Sequence, residues 1–218
     1  MAASRRNPAT PRPTLVVLVR HGQTSTTGKV LPGRAKGLHL SETGLAQAEA
    51  AAARLALLPK VHAVYASPLE RTRETAAPIA KAVGVRTRTT KGLLECDFGD
   101  WTGAKLAELM KKPEWRTVQS APSTFRFPGG ESFVEMQSRI TGELDQLAAR
   151  HAGETIVCVS HADPIKAAVA HAAGTHLDLF QRIVISPCSI TPILMGHGAP
   201  VVLAVNSTGD DLSTLAPS

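Results

Sequence analysis

One stretch, residues 15–24, constrains the fold of this chain more than any other. It opens with five apolar residues in succession, Leu-Val-Val-Leu-Val, and turns polar at Arg20, His21 and Gly22. A short β-branched apolar run of this kind is typical of a strand buried on both faces of a parallel sheet. The polar triplet then follows the carboxyl end of the strand, where open α/β sheets bind their ligands.

Strand-like and helix-like patterns alternate along the rest of the chain. This alternation predicts an α/β fold of three layers, with a mostly parallel sheet flanked by helices on both faces. Ser41 is predicted to cap the first helix, and Ser132 with Glu135 has the capping-box spacing of a later one. The predicted helices cover residues 42–58, 68–83, 104–111, 133–150 and 163–173. The predicted strands cover residues 15–19, 61–66, 85–89, 155–160, 182–186, 189–194 and 201–206, with antiparallel members among the last three.

The 218 residues are predicted to form one domain. We expect a disordered tail at residues 1–13, a single domain at 14–206 and a C-terminal tail at 207–218. Residues 113–130 are rich in proline and aromatic residues and read as irregular, which is typical of an inserted lid over a site. The whole cap insertion is expected at about residues 104–130.

Composition narrows the classes of partner. The net charge is +6, but with one tyrosine and no dense basic run the chain lacks the features of a nucleic-acid-binding surface. A basic pocket for a small anionic substrate explains the same charge. No apolar run reaches the ~20 residues that cross a bilayer, and residues 1–13 lack the apolar region of a secretory signal.

The three widely spaced cysteines, Cys96, Cys158 and Cys188, indicate a reducing cytosol. We therefore expect a cytoplasmic protein with a small anionic substrate and without a nucleic-acid or membrane partner. The oligomeric state stays open between a monomer and a homodimer.

Two histidines and two arginines are predicted to meet at one edge of the sheet. Arg20 and His21 follow the first strand, and His161 follows the strand at residues 155–160. The segment Ser-Pro-Leu-Glu at residues 67–70 has capping-box spacing, which predicts that Ser67 caps a helix with Arg71 in its first turn. Adjacent parallel strands end at one edge, and helix amino termini there favour an anion.

Phosphoryl transfer is the chemistry that requires such a set. Arginine forks bind phosphate oxygens in pairs, and a neutral imidazole can accept a phosphoryl group. A second histidine, if protonated, adds donors to the developing charge. The leaving oxygen needs a proton, for which Glu95 is the candidate acid and Asp97 the reserve. The sequence has no HxxxH, HExxH or DxD cluster, so no metal or other cofactor is expected.

Five segments resemble, in order, the motifs of the histidine phosphatase superfamily, also called phosphoglycerate mutase-like. They are Arg-His-Gly-x-Thr at residues 20–24, Ser-Pro-Leu-x-Arg-x-x-x-Thr-Ala at 67–76, Leu-Glu-x-x-x-Gly-x-Trp-x-Gly at 94–103, Pro-Gly-Gly-Glu-Ser at 128–132 and Val-Ser-His at 159–161. The fourth is frequent in phosphatase members of that family. The resemblance extends over about residues 15–206.

The resemblance implies a role for each matched residue. His21 is the phosphorylated nucleophile, Glu95 the general acid and base, and His161 the second catalytic histidine. Residues implied to bind the substrate phosphate are Arg20, Arg71, Thr24, Thr27 and, through its backbone N–H, Ala162. Thr27 stands where many members have asparagine, and Ala162 where many have glycine, so this side of the pocket departs from the common pattern.

Three functions remain open on these grounds. A phosphatase of the family is favoured over a phosphoglycerate mutase-type phosphomutase, because residues 104–128 are short and have no adjacent arginine pair. A phosphate-binding module without turnover is the third, and a general acid would be of no use to it. The roles of Arg34 and Arg126 are open between solvent-exposed loop residues and substrate contacts.

Overall fold

The computed structural model describes residues 12–196 and 198–209. A single sheet of six strands runs through them in the order β3-β2-β4-β1-β5-β6. The strands are β1 (Thr14–Arg20), β2 (Ala63–Ala66), β3 (Thr87–Thr89), β4 (Thr155–Ser160), β5 (Ile190–Met195) and β6 (Val201–Val202). The α-helices are α1 (Glu42–Leu55), α2 (Glu70–Ala82), α3 (Leu106–Leu109), α4 (Pro113–Ser120), α5 (Phe133–Arg150) and α6 (Ala162–Ala172). Short 3-10 helices lie at Lys91–Leu93, Gly99–Trp101, Pro122–Thr124 and Leu177–Arg182.

The four neighbouring strands β3, β2, β4 and β1 are parallel, and the pairings of β5 with β1 and of β6 with β5 are antiparallel. β4 pairs in parallel with β1 and with β2, and β2 pairs in parallel with β3. β5 runs antiparallel to β1, and β6 antiparallel to β5. The predicted α/β architecture, with antiparallel members among the late strands, is confirmed.

Alternate residues of β1 enter two cores, one on each face of the sheet. Val16 and Leu18 pack among residues of α5 and α6, whereas Leu15, Val17 and Val19 pack among residues of α1 and α2. This is the arrangement that a continuous apolar strand requires, because successive side chains point to opposite faces. Among the described helices, none is both long and apolar enough to span a bilayer.

Several predicted boundaries were wrong. Residues 183–186 form no strand, because the segment follows a 3-10 helix and finds no pairing partner, and the last strand shrinks to two residues. The stretch at 113–130 is not irregular throughout, since Pro113 occupies the first position of α4, where its fixed φ favours a helix start. Trp115 and Val118 of that helix pack against the α5–α6 core.

The predicted terminal tails lie largely outside the described residues, at 1–11 and 210–218. Ser207 is described, and its backbone forms an antiparallel bridge with Ile190.

Candidate active site

Three side chains follow directly after the last residues of the three neighbouring strands β1, β2 and β4. They are His21, Ser67 and His161. The register explains their proximity, because the His21 N–H donates to the carbonyl of Ser160 at 3.0 Å and the Ser67 N–H to that of Val159 at 3.0 Å. The sheet edge therefore sets the spacing of the site before any side chain is considered.

His21 is held in one tautomer. Its Nδ1 lies 2.7 Å from the carbonyl oxygen of Gly22, which only accepts, so Nδ1 carries the proton. Its Nε2 accepts from Nε of Arg71 at 3.3 Å, so this nitrogen carries no proton and has the lone pair that a nucleophile needs. Burial, followed by the charges of Arg71 and Arg20, lowers the pKa of His21 well below its ordinary value. The ring is neutral at physiological pH.

A close backbone approach fixes the turn that carries His21. A Cβ built on Gly22 would lie 2.5 Å from the carbonyl oxygen of Gly44 in the first turn of α1. Only glycine fits at that distance, so α1 packs directly against the turn that carries His21. The Gly22 N–H also donates to Oγ1 of Thr75 at 3.0 Å.

His161 lies beside His21, with ring centroids 5.2 Å apart and an interplanar angle of 65°. Its Nε2 is 2.9 Å from Oγ of Ser67, and its buried Nδ1 has no hydrogen-bond partner among the described residues. Burial, then Arg71 and His21, lowers the pKa of His161 well below its ordinary value. The second histidine is thus a neutral ring here, and not the imidazolium that would add charge.

The predicted capping role of Ser67 was wrong. Helix α2 begins at Glu70, its N-cap is Leu69, and no side chain caps it. The Ser67 hydroxyl bonds to His161 instead, across 94 residues of chain. A capping pattern predicts only contacts between residues that are close in sequence. The Ser67 hydroxyl instead contacts a buried nitrogen of the His161 ring, which follows a different strand.

Both arginines bring charge into the interior. Arg71 is fully buried, with Nη2 donating to the carbonyl of Gly33 at 2.8 Å, and Arg20 donates from Nη1 to the carbonyl of Ile185 at 2.6 Å. Nη1 of Arg71 and Nε of Arg20 are buried without a hydrogen-bond partner in the part of the chain that the structure describes. Buried polar nitrogens are almost always hydrogen-bonded, so the unpartnered nitrogens of two arginines and of His161 mark a place for the polar atoms of a ligand.

Glu95 lies in the same buried site, with its carboxylate oxygen Oε1 accepting from the Cys96 N–H at 2.9 Å. Burial and the negative charge of Asp163 raise the pKa of Glu95 to about 7, although Arg71 and Arg20 act in the opposite direction. A carboxyl group with this pKa can both give and take a proton near neutral pH.

The loop that bears Glu95 is held from behind by an ion-pair network. Arg139 donates to both carboxylate oxygens of Glu131 and to the carbonyls of Gly92, Leu94 and Glu95. Arg34 donates from Nε to the carbonyl of Glu95 at 2.9 Å, and its other nitrogens contact Asp97 and Glu131. These bonds leave Arg34 committed to the loop. Asp97, the reserve acid, is one of its partners.

A cavity of about 450 Å³ opens above His21. Six of the eight predicted site residues line it, namely Arg20, His21, Thr24, Thr27, Glu95 and Ala162. Arg71 and His161 are not among its lining residues, but both contact His21, which is. Thr24 and Thr27 bond each other through their hydroxyls at 3.0 Å, and the Thr24 N–H donates to Oγ1 of Thr27. Arg126 lies elsewhere, paired with Glu135 at the surface.

Sequence reasoning missed Ser67, Asp163 and Lys166 as site residues. Asp163 and Lys166 line the cavity from α6, three residues apart and so on one face of the helix. The spacing of these two charged residues is visible in the sequence, but only the structure shows that this face of α6 lines the cavity. Within the described residues no group of three or more metal-ligating side chains converges.

Known proteins resemble this chain in both sequence and structure. It is 33% identical over 198 residues to phosphoserine phosphatase 1 of Hydrogenobacter thermophilus, with 88% of this chain and 92% of that protein covered. It is also 33% identical over 205 residues to a bifunctional protein of Mycobacterium tuberculosis, with 90% of this chain covered. The chain spans only 55% of the length of that mycobacterial relative.

The solved structures agree. A mycobacterial glucosyl-3-phosphoglycerate phosphatase superposes with a TM-score of 0.80 at 26% identity, covering 90% of this chain and 100% of that one. A phosphoserine phosphatase of Entamoeba histolytica in complex with phosphoserine superposes with a TM-score of 0.81 at 27% identity, covering 89% and 98%. The model of the histidine phosphatase superfamily, branch 1, matches residues 16–208. The resemblance seen in the motifs is confirmed, and the chain belongs to the histidine phosphatase superfamily.

Proposed function

We propose that this protein is a metal-independent phosphomonoesterase that acts on a small phosphorylated metabolite through a phosphohistidine on His21. One observation carries the proposal. Three buried nitrogens without a hydrogen-bond partner among the described residues, on Arg20, Arg71 and His161, surround a neutral histidine whose Nε2 carries no proton. Relatives named as metal-independent phosphoserine phosphatase and phosphoserine phosphatase support the reaction class.

In the first step, the Nε2 lone pair of His21 attacks phosphorus in line with the ester oxygen. The N–P bond forms, the P–O bond to the alcohol breaks, and the protonated carboxyl of Glu95 gives its proton to the leaving oxygen. Arg20 and Arg71 bind the equatorial phosphate oxygens, and the N–H groups of His161 and Ala162 donate to them. The threonine pair at 24 and 27 supports the same side of the phosphate.

In the second step, the Glu95 carboxylate takes a proton from water as the water oxygen attacks phosphorus. The N–P bond breaks, its electron pair returns to Nε2 of His21, and inorganic phosphate leaves. Glu95 is then protonated again and His21 is neutral again. A pKa of about 7 on Glu95 suits both halves of the cycle, because neither form is strongly disfavoured at neutral pH.

A phosphomutase of the phosphoglycerate type is less favoured. Such an enzyme must hold a second anionic group of its substrate while the phosphoryl group waits on histidine. Among the described residues, the cations that line the cavity are Arg20 and Lys166. Arg20 serves the transferred phosphate, and Lys166 is paired with Asp163.

Hydrolysis of p-nitrophenyl phosphate in the presence of a metal chelator tests the proposal. We expect turnover by the unmodified protein and a loss on the order of 10⁴-fold or more in His21→Ala. His171→Ala, on the exposed face of α6, is the matched control and should keep full activity. Rapid quenching should trap an acid-labile, alkali-stable phosphoryl group that His21→Ala lacks. Full activity of His21→Ala would refute the proposal.

A second assay separates hydrolysis from phosphoryl exchange. With 3-phosphoglycerate and a catalytic amount of 2,3-bisphosphoglycerate, we expect little isomerisation. Rapid isomer exchange without release of phosphate would make the protein a mutase.

The proposal extends to location and partners. We place the activity in the cytosol, because Cys96, Cys158 and Cys188 are free and buried thiols. A small phosphorylated substrate is the proposed partner, with no nucleic acid or membrane.

A further inference from the structure

The cavity has two chemically different ends. At the floor lie the groups that bind and cleave the phosphate. Above them the wall is built from apolar side chains of several separate elements, among them Leu31, Leu106, Trp115, Val118, Phe127 and Ile183. This wall faces the part of the substrate that leaves as the alcohol.

The size of the cavity exceeds the needs of a three-carbon phosphoester. Its volume of about 450 Å³ lies within the range of about 300–1,000 Å³ found for pockets that bury drug-sized ligands. Leu106 and Trp115 are half-buried on α3 and α4 and so present apolar surface to whatever enters. A polar alcohol group bound against this wall would not gain the free energy that comes from burying apolar surface.

The charges around the wall are already balanced. Nζ of Lys166 lies 3.4 Å from Oδ1 of Asp163 and donates to Oε1 of Gln181 at 3.0 Å. Arg34, the other candidate cation, is bound to Asp97 and Glu131 behind the Glu95 loop. Arg20 is assigned to the transferred phosphate, so the remaining lining cation among the described residues is Lys166, which a carboxylate on the leaving group would find already paired with Asp163.

We propose that the substrate is a phosphomonoester of a bulky, apolar or aromatic alcohol that carries no second negative charge. This inference rests on the proposed phosphatase function and narrows its substrate class. It separates this chain from relatives named for phosphoserine and glucosyl-3-phosphoglycerate, whose substrates carry a carboxylate beside the phosphate.

Steady-state hydrolysis of matched phosphoesters tests the inference. The leaving group of benzyl phosphate, O-phospho-L-serine and 3-phosphoglycerate is in each case the oxygen of a primary alcohol, so the three leaving groups are comparable in chemical reactivity. p-Nitrophenyl phosphate is the control that shows whether the protein hydrolyses phosphomonoesters at all. We expect kcat/KM for benzyl phosphate to exceed that for phosphoserine by about tenfold or more, because the ring is buried against the wall.

Two variants locate the preference. Leu106→Asn, at a half-buried position that tolerates a polar group, should lower kcat/KM for benzyl phosphate about fivefold more than kcat/KM for phosphoserine. Met110→Asn, exposed on the same cap and outside the cavity, is the matched control and should change neither. Asp163→Asn removes the carboxylate that pairs with Lys166, and it should raise the ratio of kcat/KM for phosphoserine to kcat/KM for benzyl phosphate. An effect of this variant on Glu95 changes both values and cancels in the ratio.

The outcomes separate this inference from the function on which it rests. Equal or better hydrolysis of phosphoserine or 3-phosphoglycerate overturns the apolar substrate class and leaves the phosphatase in place. An unchanged ratio in Asp163→Asn, or equal losses for both substrates in Leu106→Asn, also overturns it. If even p-nitrophenyl phosphate is not hydrolysed, the phosphatase proposal fails first and the substrate class fails with it.

Discussion

The hydroxyl of Ser67 lies 2.9 Å from Nε2 of His161, and both residues directly follow the last residues of neighbouring parallel strands. A hydroxyl that donates to Nε2 leaves the ring proton on Nδ1, the atom that has no partner among the described residues. We infer that Ser67 is a positioning residue: when its hydroxyl donates to Nε2, it selects the form of His161 that could donate from Nδ1 to a phosphate oxygen.

Ser67→Ala should lower kcat/KM by roughly tenfold to a hundredfold, since one buried hydrogen-bond partner is removed and the ring is freed to change tautomer. Nitrogen NMR of the His161 ring should show a mixture of tautomers, which a general loss of packing would not produce. Ser67→Thr keeps the hydroxyl and should recover much of the rate. Ser138→Ala, exposed on α5, is the control. An unchanged tautomer in Ser67→Ala would contradict this role.

Arg71→Lys keeps a positive charge in the site but removes the planar fork. We expect kcat/KM to fall on the order of a hundredfold, because a lysine ammonium cannot bind two phosphate oxygens side by side and cannot also reach Nε2 of His21. The affinity for inorganic phosphate as a competitive inhibitor should fall in parallel.

Arg73→Lys changes the same residue type two positions along α2, where the side chain is exposed, and should have no effect. Retention of phosphate affinity in Arg71→Lys would show that charge alone suffices at this position.

The pH dependence of the first step should report Glu95. The pKa of Glu95 is raised to about 7, so the acid form needed by the leaving oxygen is lost as pH rises through that value. kcat/KM for benzyl phosphate should therefore fall above about pH 7. The pKa of His21 lies well below its ordinary value, so its lone pair persists on the acidic side of pH 6.5.

p-Nitrophenyl phosphate provides the internal comparison, because its leaving group departs without a proton. In Glu95→Gln, benzyl phosphate should lose about 10²- to 10⁴-fold in kcat/KM, the usual contribution of a general acid, whereas p-nitrophenyl phosphate should lose much less. Equal losses for the two substrates would mean that Glu95 does not protonate the leaving oxygen.

The same carboxyl group should make stability depend on pH. The pKa of Glu95 is higher in the folded chain than in the unfolded chain, so the stability that its neutral form allows is fully present below the unfolded pKa and is lost as pH rises towards about 7. Glu95→Gln stays neutral throughout. Its free energy of unfolding relative to the unmodified protein should rise between pH 4.5 and 7, by up to about 3 kcal/mol.

Urea unfolding at a series of pH values measures this difference. Glu114→Gln, at an exposed position in the first turn of α4, should show no comparable rise. A constant difference between Glu95→Gln and the unmodified protein would contradict the raised pKa.

The sequence by itself determined the sheet centre and the identity of the chemistry. The apolar runs before His21 and before His161 are local in sequence and long enough to define buried strands. The polar residues that follow them could be brought together by the rule that adjacent parallel strands end at one edge of the sheet. The capping box at Ser132 and Glu135 was also predicted from the sequence, and both of its hydrogen bonds form. This prediction was possible because both partners lie within one turn of helix.

Only the tertiary structure decided the partner of Ser67, the commitment of Arg34 and the face that Asp163 and Lys166 present. Each depends on a contact between residues far apart in sequence: Ser67 with His161, Arg34 with Glu131, and Lys166 with Gln181. Sequence patterns predict only interactions between residues that are close together along the chain. A side chain's partner, and hence its charge and its role, is set by burial and by whatever other elements the fold brings within hydrogen-bond distance.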